Sequence, residues 1–142
     1  MPADSHTISV RITRPLVEVA AFLGAPANFR HWASGLAGGL TLTATDPMVW
    51  EAASEAGPVH VRFSPPNAFG VADHWVTLPD GSTVYVPLRA MAHGTDAPDT
   101  LVSLTLFRPP GMDAERFEAD ADWVRRDLEQ LRHVLERTPA AT

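Results

Sequence analysis

The stretch DAERFEADADWVRRDLEQLRHVLE, residues 113–136, decides the fold. Phe117, Ala121, Val124, Leu128, Leu131 and Leu135 recur in it at spacings of 4, 3, 4, 3 and 4, which lays them along one side of a helix. Asp113 is placed to cap its first turn. Acidic residues crowd the first turns and Arg125, Arg126, Arg132 and Arg137 the second half, the arrangement that suits a helix dipole. Burying each large apolar side chain of the stripe is worth about 1.5–3 kcal/mol, more than any surface ion pair, so the helix must dock on something.

Upstream of it the period changes to two. Ile8, Val10 and Ile12 alternate with Ser9, Arg11 and Thr13, as in a half-buried strand. Pro15 then opens a short helix, with Leu16, Val19, Ala20 and Leu23 on one face and a stop at Gly24. Pro26 starts a second, which carries Phe29 and Trp32 three apart and ends at Gly35. Between Gly39 and Phe107 the alternation continues, cut by turn signals at Asp46-Pro47, Gly57-Pro58, Pro65-Pro66-Asn67, Pro79-Asp80-Gly81 and residues 94–99. That predicts six consecutive antiparallel strands, and the tail 139–142 reads as frayed. The expected class is α+β: a seven-stranded curved antiparallel sheet around a long C-terminal helix, with two short helices after the first strand. All 142 residues are expected to form one domain.

Two hairpin registers follow from assuming two-residue turns. A turn at Ala56-Gly57 puts Trp50 opposite Phe63, Ala52 opposite Val61 and Glu51 opposite Arg62. A turn at Asp80-Gly81 puts Asp73 opposite Leu88 and Trp75 opposite Val86. One face then holds Val71, Asp73, Trp75, Val84, Val86, Leu88 and Ala90, the expected interior, and the other holds His74, Tyr85, Arg89 and Met91.

The net charge of -6, from 11 arginines and 17 acidic residues, argues against a grip on nucleic acid. Without cysteine there is no disulfide, thiolate zinc site or thiol nucleophile. The six histidines include no HExxH pattern and no i, i+4 pair, so neither metal nor cofactor is expected. Residues 35–39 are glycine-rich but match no phosphate-binding loop, and they read as a turn or lid. The apolar runs are too short to span a membrane and residues 1–6 are polar, unlike a signal peptide; the expected location is the cytoplasm.

The order of elements, with ITRPLVEVAAFL at 12–23, PANFRHW at 26–32 and FRPPGM at 107–112 leading into WVRRDL at 123–128, resembles the START-like, Bet v 1-like (SRPBCC) superfamily and its polyketide cyclase/dehydrase-type group. The resemblance implies a helix-grip fold and a hydrophobic cavity between sheet and C-terminal helix that holds a small hydrophobic or aromatic molecule. It implies no shared catalytic motif. An enzyme of this kind would be a metal-free cyclase/dehydratase-like lyase. A ligand carrier, or an interaction protein of the Hsp90-activator type, fits the sequence as an alternative, and the chain would be a monomer or a homodimer.

Asp73, mid-strand on an otherwise apolar face, is the expected acid/base or polar anchor, titrating above the ordinary carboxylate value because burial disfavours its charge. His74, Tyr85 and Arg89 are the further catalytic candidates, able to hold an enol, phenolate or carboxylate should the faces be inverted. Trp32, Trp50, Trp75, Val86, Leu88, Val124 and Leu128 are the expected ligand-binding residues, with plain core filling as the alternative for the aromatic ones.

Overall fold

The computed structural model describes residues 4–36, 38–43, 46–54 and 56–137. The tail 139–142 and residue 37 of the glycine-rich stretch lie outside the described residues. Strand β1 (Ser5–Ile12) buries Ile8, Val10 and Ile12 and turns Thr7, Ser9 and Arg11 outward, as its alternation requires. Helix α1 (Leu16–Leu23) begins on the Pro15 carbonyl, which accepts the Glu18 and Val19 N–H groups at 3.1 Å, and ends where the Gly24 N–H donates to Ala20 O at 2.9 Å. The expected second helix is two 3-10 segments, Pro26–His31 and Ser34–Leu36. Chain this short closes i to i+3 bonds more readily than an α-ladder. Phe29 and Trp32 are nonetheless both buried.

The strands that follow are β2 (Thr41–Leu42), β3 (Val49–Ser54), β4 (Gly57–Phe63), β5 (His74–Thr77), β6 (Thr83–Val86), β7 (Leu88–Ala92) and β8 (Thr100–Phe107), and α2 (Ala114–Arg137) closes the chain. They form one sheet of order β2-β3-β4-β5-β6 and one of order β1-β8-β7. The count exceeds the expected seven by one because Pro87 divides a single run into β6 and β7. Proline has no N–H to give the ladder. The two sheets stay joined at that point: Thr105 N–H donates to Pro87 O at 3.0 Å, and Val71 bridges Arg89.

Both expected hairpin registers are corrected. In β3–β4 the pairs are Trp50 with Val61, Ala52 with Val59 and Glu51 with His60, so Arg62 opposes Val49 and binds Asp46 at 2.6 Å instead of Glu51. A shift of two positions leaves every residue on its face. In β5–β6 the pairs are His74 with Val86, Trp75 with Tyr85 and Val76 with Val84, a shift of one, which moves a strand's whole side-chain set to the other face. The cause is the turn. Gly81 N–H bonds Leu78 O at 2.9 Å, Leu78 N–H bonds Ser82 O at 2.8 Å, and Gly81 sits at φ +90°, so three residues, Pro79, Asp80 and Gly81, make the loop. This is a type I turn followed by a left-handed glycine bulge. The Asp80 carboxylate secures it by accepting the Ser82 N–H at 2.9 Å and hydroxyl at 2.6 Å.

Helix α2 keeps its expected stripe, with Phe117, Ala121, Leu128, Leu131 and Leu135 buried and Val124 half-buried. Asp113 caps it, its carboxylate accepting the Arg116 N–H at 2.7 Å. The stripe packs on β1 and on the core of Val61, Leu88, Val102 and Leu104. Leu128 is 1% exposed, so Leu128→Asp buries an unpaired charge and should cost at least about 4 kcal/mol. Circular dichroism should then show no cooperative thermal transition; an unchanged melting curve would contradict the docking.

Candidate functional site

The corrected parity regroups the residues singled out in the sequence. Asp73 joins Tyr85 and Arg89 on the convex, outer side of the sheet, whereas His74 points into the core. In an unbroken ladder Ala72 and Leu88 would exchange both backbone bonds. Only one is made, Ala72 N–H to Leu88 O at 2.8 Å. The Leu88 N–H goes instead to the Asp73 carboxylate at 2.9 Å, and the Ala72 carbonyl receives Nδ1–H of His74 at 3.2 Å. Two adjacent side chains thus satisfy the backbone groups released next to Pro87.

The Asp73 carboxylate also accepts the Tyr85 hydroxyl at 2.7 Å and two bonds from Arg89, Nε at 3.1 Å and NH2 at 2.7 Å. The expected acid/base pointing into a cavity is corrected to a carboxylate with four donors on the outer face. The expected upward titration is reversed as well. Burial pushes the carboxyl up, but the hydrogen bonds from Arg89, Tyr85 and Leu88 N–H outweigh it, and it ends below its ordinary value. The bond to Asp73 raises the Tyr85 phenol in turn. Trp75, expected inside, lies outside and stacks on Tyr85 at 5.1 Å, and Tyr85 stacks on Phe107 at 6.1 Å.

His74 is buried among aromatic rings, 5.5 Å from Phe29 and 5.7 Å from Phe63 between centroids. Desolvation lowers its pKa, opposed by the bond to Ala72 and the charge of Asp73. Because a carbonyl can only accept, Nδ1 carries the proton and Nε2 keeps a lone pair. Trp32 packs on the same Phe29 ring at 5.1 Å, and its indole N–H is buried with no acceptor among the described residues.

Of the expected ligand-binding residues, Leu88, Leu128 and Trp32 belong to the packed core, while Trp50, Val86 and Val124 are half-buried against it. Met48, Val76 and Leu106 are half-buried beside them. Sequence reasoning missed Asp127, whose carboxylate binds the Ser34 backbone and hydroxyl and is raised by burial. A lone acidic residue beside an apolar stripe gives no signal of such a contact. It also missed a mostly apolar cavity of about 480 Å³ between α1 and the 64–72 loop. Among the described residues no three His, Asp or Glu side chains gather as a metal site would require, and no helix is long and apolar enough to cross a membrane.

No protein-family model and no curated protein matches the sequence. Solved structures do match its fold. A START superfamily protein from Mycobacterium smegmatis is 10% identical, with 95% of this chain and 99% of that chain covered and a TM-score of 0.74. DynU16, from the dynemicin biosynthetic locus, is 18% identical at a TM-score of 0.69 over 95% of this chain, which spans 48% of that protein. Ara h 8.0201, a Bet v 1 homologue, is 9% identical at a TM-score of 0.61, over 94% of this chain and 99% of that one. The chain therefore has the START-like, Bet v 1-like fold of SRPBCC proteins.

Asp73→Asn keeps the shape of the clamp and removes its charge. Breaking a buried ion pair costs about 3–5 kcal/mol, and the half-exposed Arg89 reduces this to about 2 kcal/mol, a fall in Tm of roughly 4–8 °C. The pH dependence has a definite sign. Asp73 titrates below 3.8 when folded and near that value when unfolded, so the unfolded chain binds more protons as the pH drops through this range. The advantage of wild type over Asp73→Asn should be constant above about pH 5 and shrink below pH 3.8; an advantage undiminished at pH 2 would contradict the clamp.

For His74 the folded value lies under the ordinary 6.5, so the unfolded chain again takes the proton first and stability should decline as the pH falls below 6.5. Nitrogen-15 NMR at pH 6.5 should show a neutral ring protonated on Nδ1, and His74→Phe should flatten that part of the stability profile.

Proposed function

We propose that the chain binds a small hydrophobic or aromatic molecule against the concave face, between the sheet and α2. One observation carries this reading: Trp50, Val76, Val86, Leu106 and Val124 remain only half-buried on the side of the sheet that faces the core. Protein interiors are close-packed, and a contiguous apolar surface left partly open is the usual mark of a ligand site. The START-like fold supports the same class of ligand. Against that surface His74 Nε2 would accept a hydrogen bond from a ligand hydroxyl, and the Trp32 N–H would donate to a ligand oxygen.

A cyclase/dehydratase-like activity is the second reading, favoured by the likeness to DynU16 and its biosynthetic locus. His74 would then be its acid/base group, because Asp73, Tyr85 and Arg89 lie on the outer face and are held by one another. A carrier without chemistry needs only the concave surface.

Mass spectrometry of small molecules released from protein purified without added ligand should find an aromatic or hydrophobic species in wild type and none in Val86→Trp, whose larger ring fills the space. Titration with 1-naphthol should likewise weaken at least tenfold in Val86→Trp. Equal 1-naphthol affinity in the two proteins would refute the site. Recovery of the naphthol unchanged after incubation fits the carrier, and its conversion fits the enzyme.

A further inference from the structure

The cavity between α1 and the 64–72 loop shares none of the half-buried residues of the concave face. Its helical wall presents Leu16, Val17, Ala20 and Ala21, and its floor includes Leu23, Phe63 and Ala72. Small side chains on α1 leave the space open. Its volume, about 480 Å³, falls within the range of sites for small organic molecules. Phe63 packs against Phe29 at 5.0 Å and near His74, so an aromatic layer backs this cavity.

The opposite wall is preformed. Pro65 and Pro66 stiffen the loop, and the Asn67 side chain ties it internally: Nδ2 donates to Pro65 O at 3.0 Å and Val71 O at 2.9 Å, while Oδ1 accepts Phe69 N–H at 2.9 Å and Val71 N–H at 3.2 Å. Gly70 adopts φ +77°, and a Cβ there would lie 2.2 Å from Ala90 O, so only glycine lets the loop lie this close to β7. A wall held by proline, glycine and an internally bonded asparagine has little freedom to collapse into the gap.

The lining contains no charged side chain. Its polar side chains are already engaged, Asn67 as above and the Ser64 hydroxyl with Val71 O at 3.3 Å. What the cavity offers a ligand is apolar contact, with no partner for an ionised group, whose desolvation would go uncompensated. Around it the chain leaves large apolar side chains in solvent: Val17, which lines the mouth, is 83% exposed, and Phe69, on the loop, is 84% exposed. We infer that this cavity is a second binding site, selective for an uncharged apolar small molecule, separate from the concave face.

The test is NMR titration of nitrogen-15-labelled protein with N-phenyl-1-naphthylamine, an uncharged apolar probe, alongside its sulfonated relative 8-anilinonaphthalene-1-sulfonate. The uncharged probe should produce saturable shifts in the amides of Ala20, Ala21, Ala68 and Gly70. Ala20→Phe, which fills the cavity from the helix, should raise the Kd read from those amides at least tenfold, and Val86→Trp on the concave face should leave it unchanged. Ala68→Phe fills the cavity from the loop and takes the place of Ala20→Phe if that variant does not fold. The sulfonate should bind these amides at least tenfold more weakly than the uncharged probe.

Shifts confined to the Trp50, Val76 and Val86 amides would overturn this site while leaving the concave-face reading intact. So would shifts near α1 that neither filling variant weakens, or equal affinity for the sulfonate. Loss of binding at the concave face with saturation retained at α1 would refute the other reading and keep this one.

Discussion

Beside Pro87, Ala72 and Leu88 make only one of the two backbone bonds of a regular antiparallel pair, and the arrangement around them depends on how the two freed groups are satisfied. An unpaired buried backbone group costs about 1–3 kcal/mol, so a bare break in mid-sheet would weaken both halves. Asp73 and His74, at the start of β5, supply the missing partners. One accepts the Leu88 N–H with its carboxylate, and the other donates to the Ala72 carbonyl with its ring. Being adjacent in sequence, they point to opposite faces, so a single repair places a charge outside and a neutral imidazole inside. Asp73 remains ionised because Arg89 and Tyr85 hold it, and His74 is kept neutral by the aromatic rings about it.

That division orders the two faces. Trp75, Tyr85 and Phe107 stack in a row across the strands of the convex side, beside the ion pair. The core-facing side carries Trp50, Val76, Val86 and Leu106, with His74 and the Trp32 indole as polar groups among apolar neighbours. Chemistry on a bound molecule, on this reading, draws on the imidazole rather than on the four-residue acid/base set that the strand pattern suggests. The cavity behind α1 adds a region of different character, mostly apolar, without a charged side chain in its lining, and walled by a loop whose polar groups bond one another.

Much of the fold was legible in the chain. Helical spacing marks α2 to within a residue at each end, alternation marks β1 and β8, and the Pro15 and Gly24 signals bracket α1. These readings succeed because local periodicity and capping are properties of neighbouring residues. The site was less legible. Asp73, His74, Tyr85 and Arg89 stand out in the sequence as polar candidates, yet their grouping does not, since a strand assigned to the wrong parity carries Asp73 and Trp75 inward and His74 outward.

The sequence by itself determined the order of the main elements, the two α-helices with the apolar stripe of α2, and the identity of the polar residues near the bend. The tertiary structure alone decided which of those residues meet. Pro79-Asp80-Gly81 is compatible with a two-residue or a three-residue loop, and the choice between them is an energy difference of the whole hairpin. It falls to the register in which His74, Val76, Val84 and Val86 share the buried face and Asp73 finds Arg89 on the other. A side-chain period of two makes that one-residue choice decide every contact along the strand, and no local pattern encodes it.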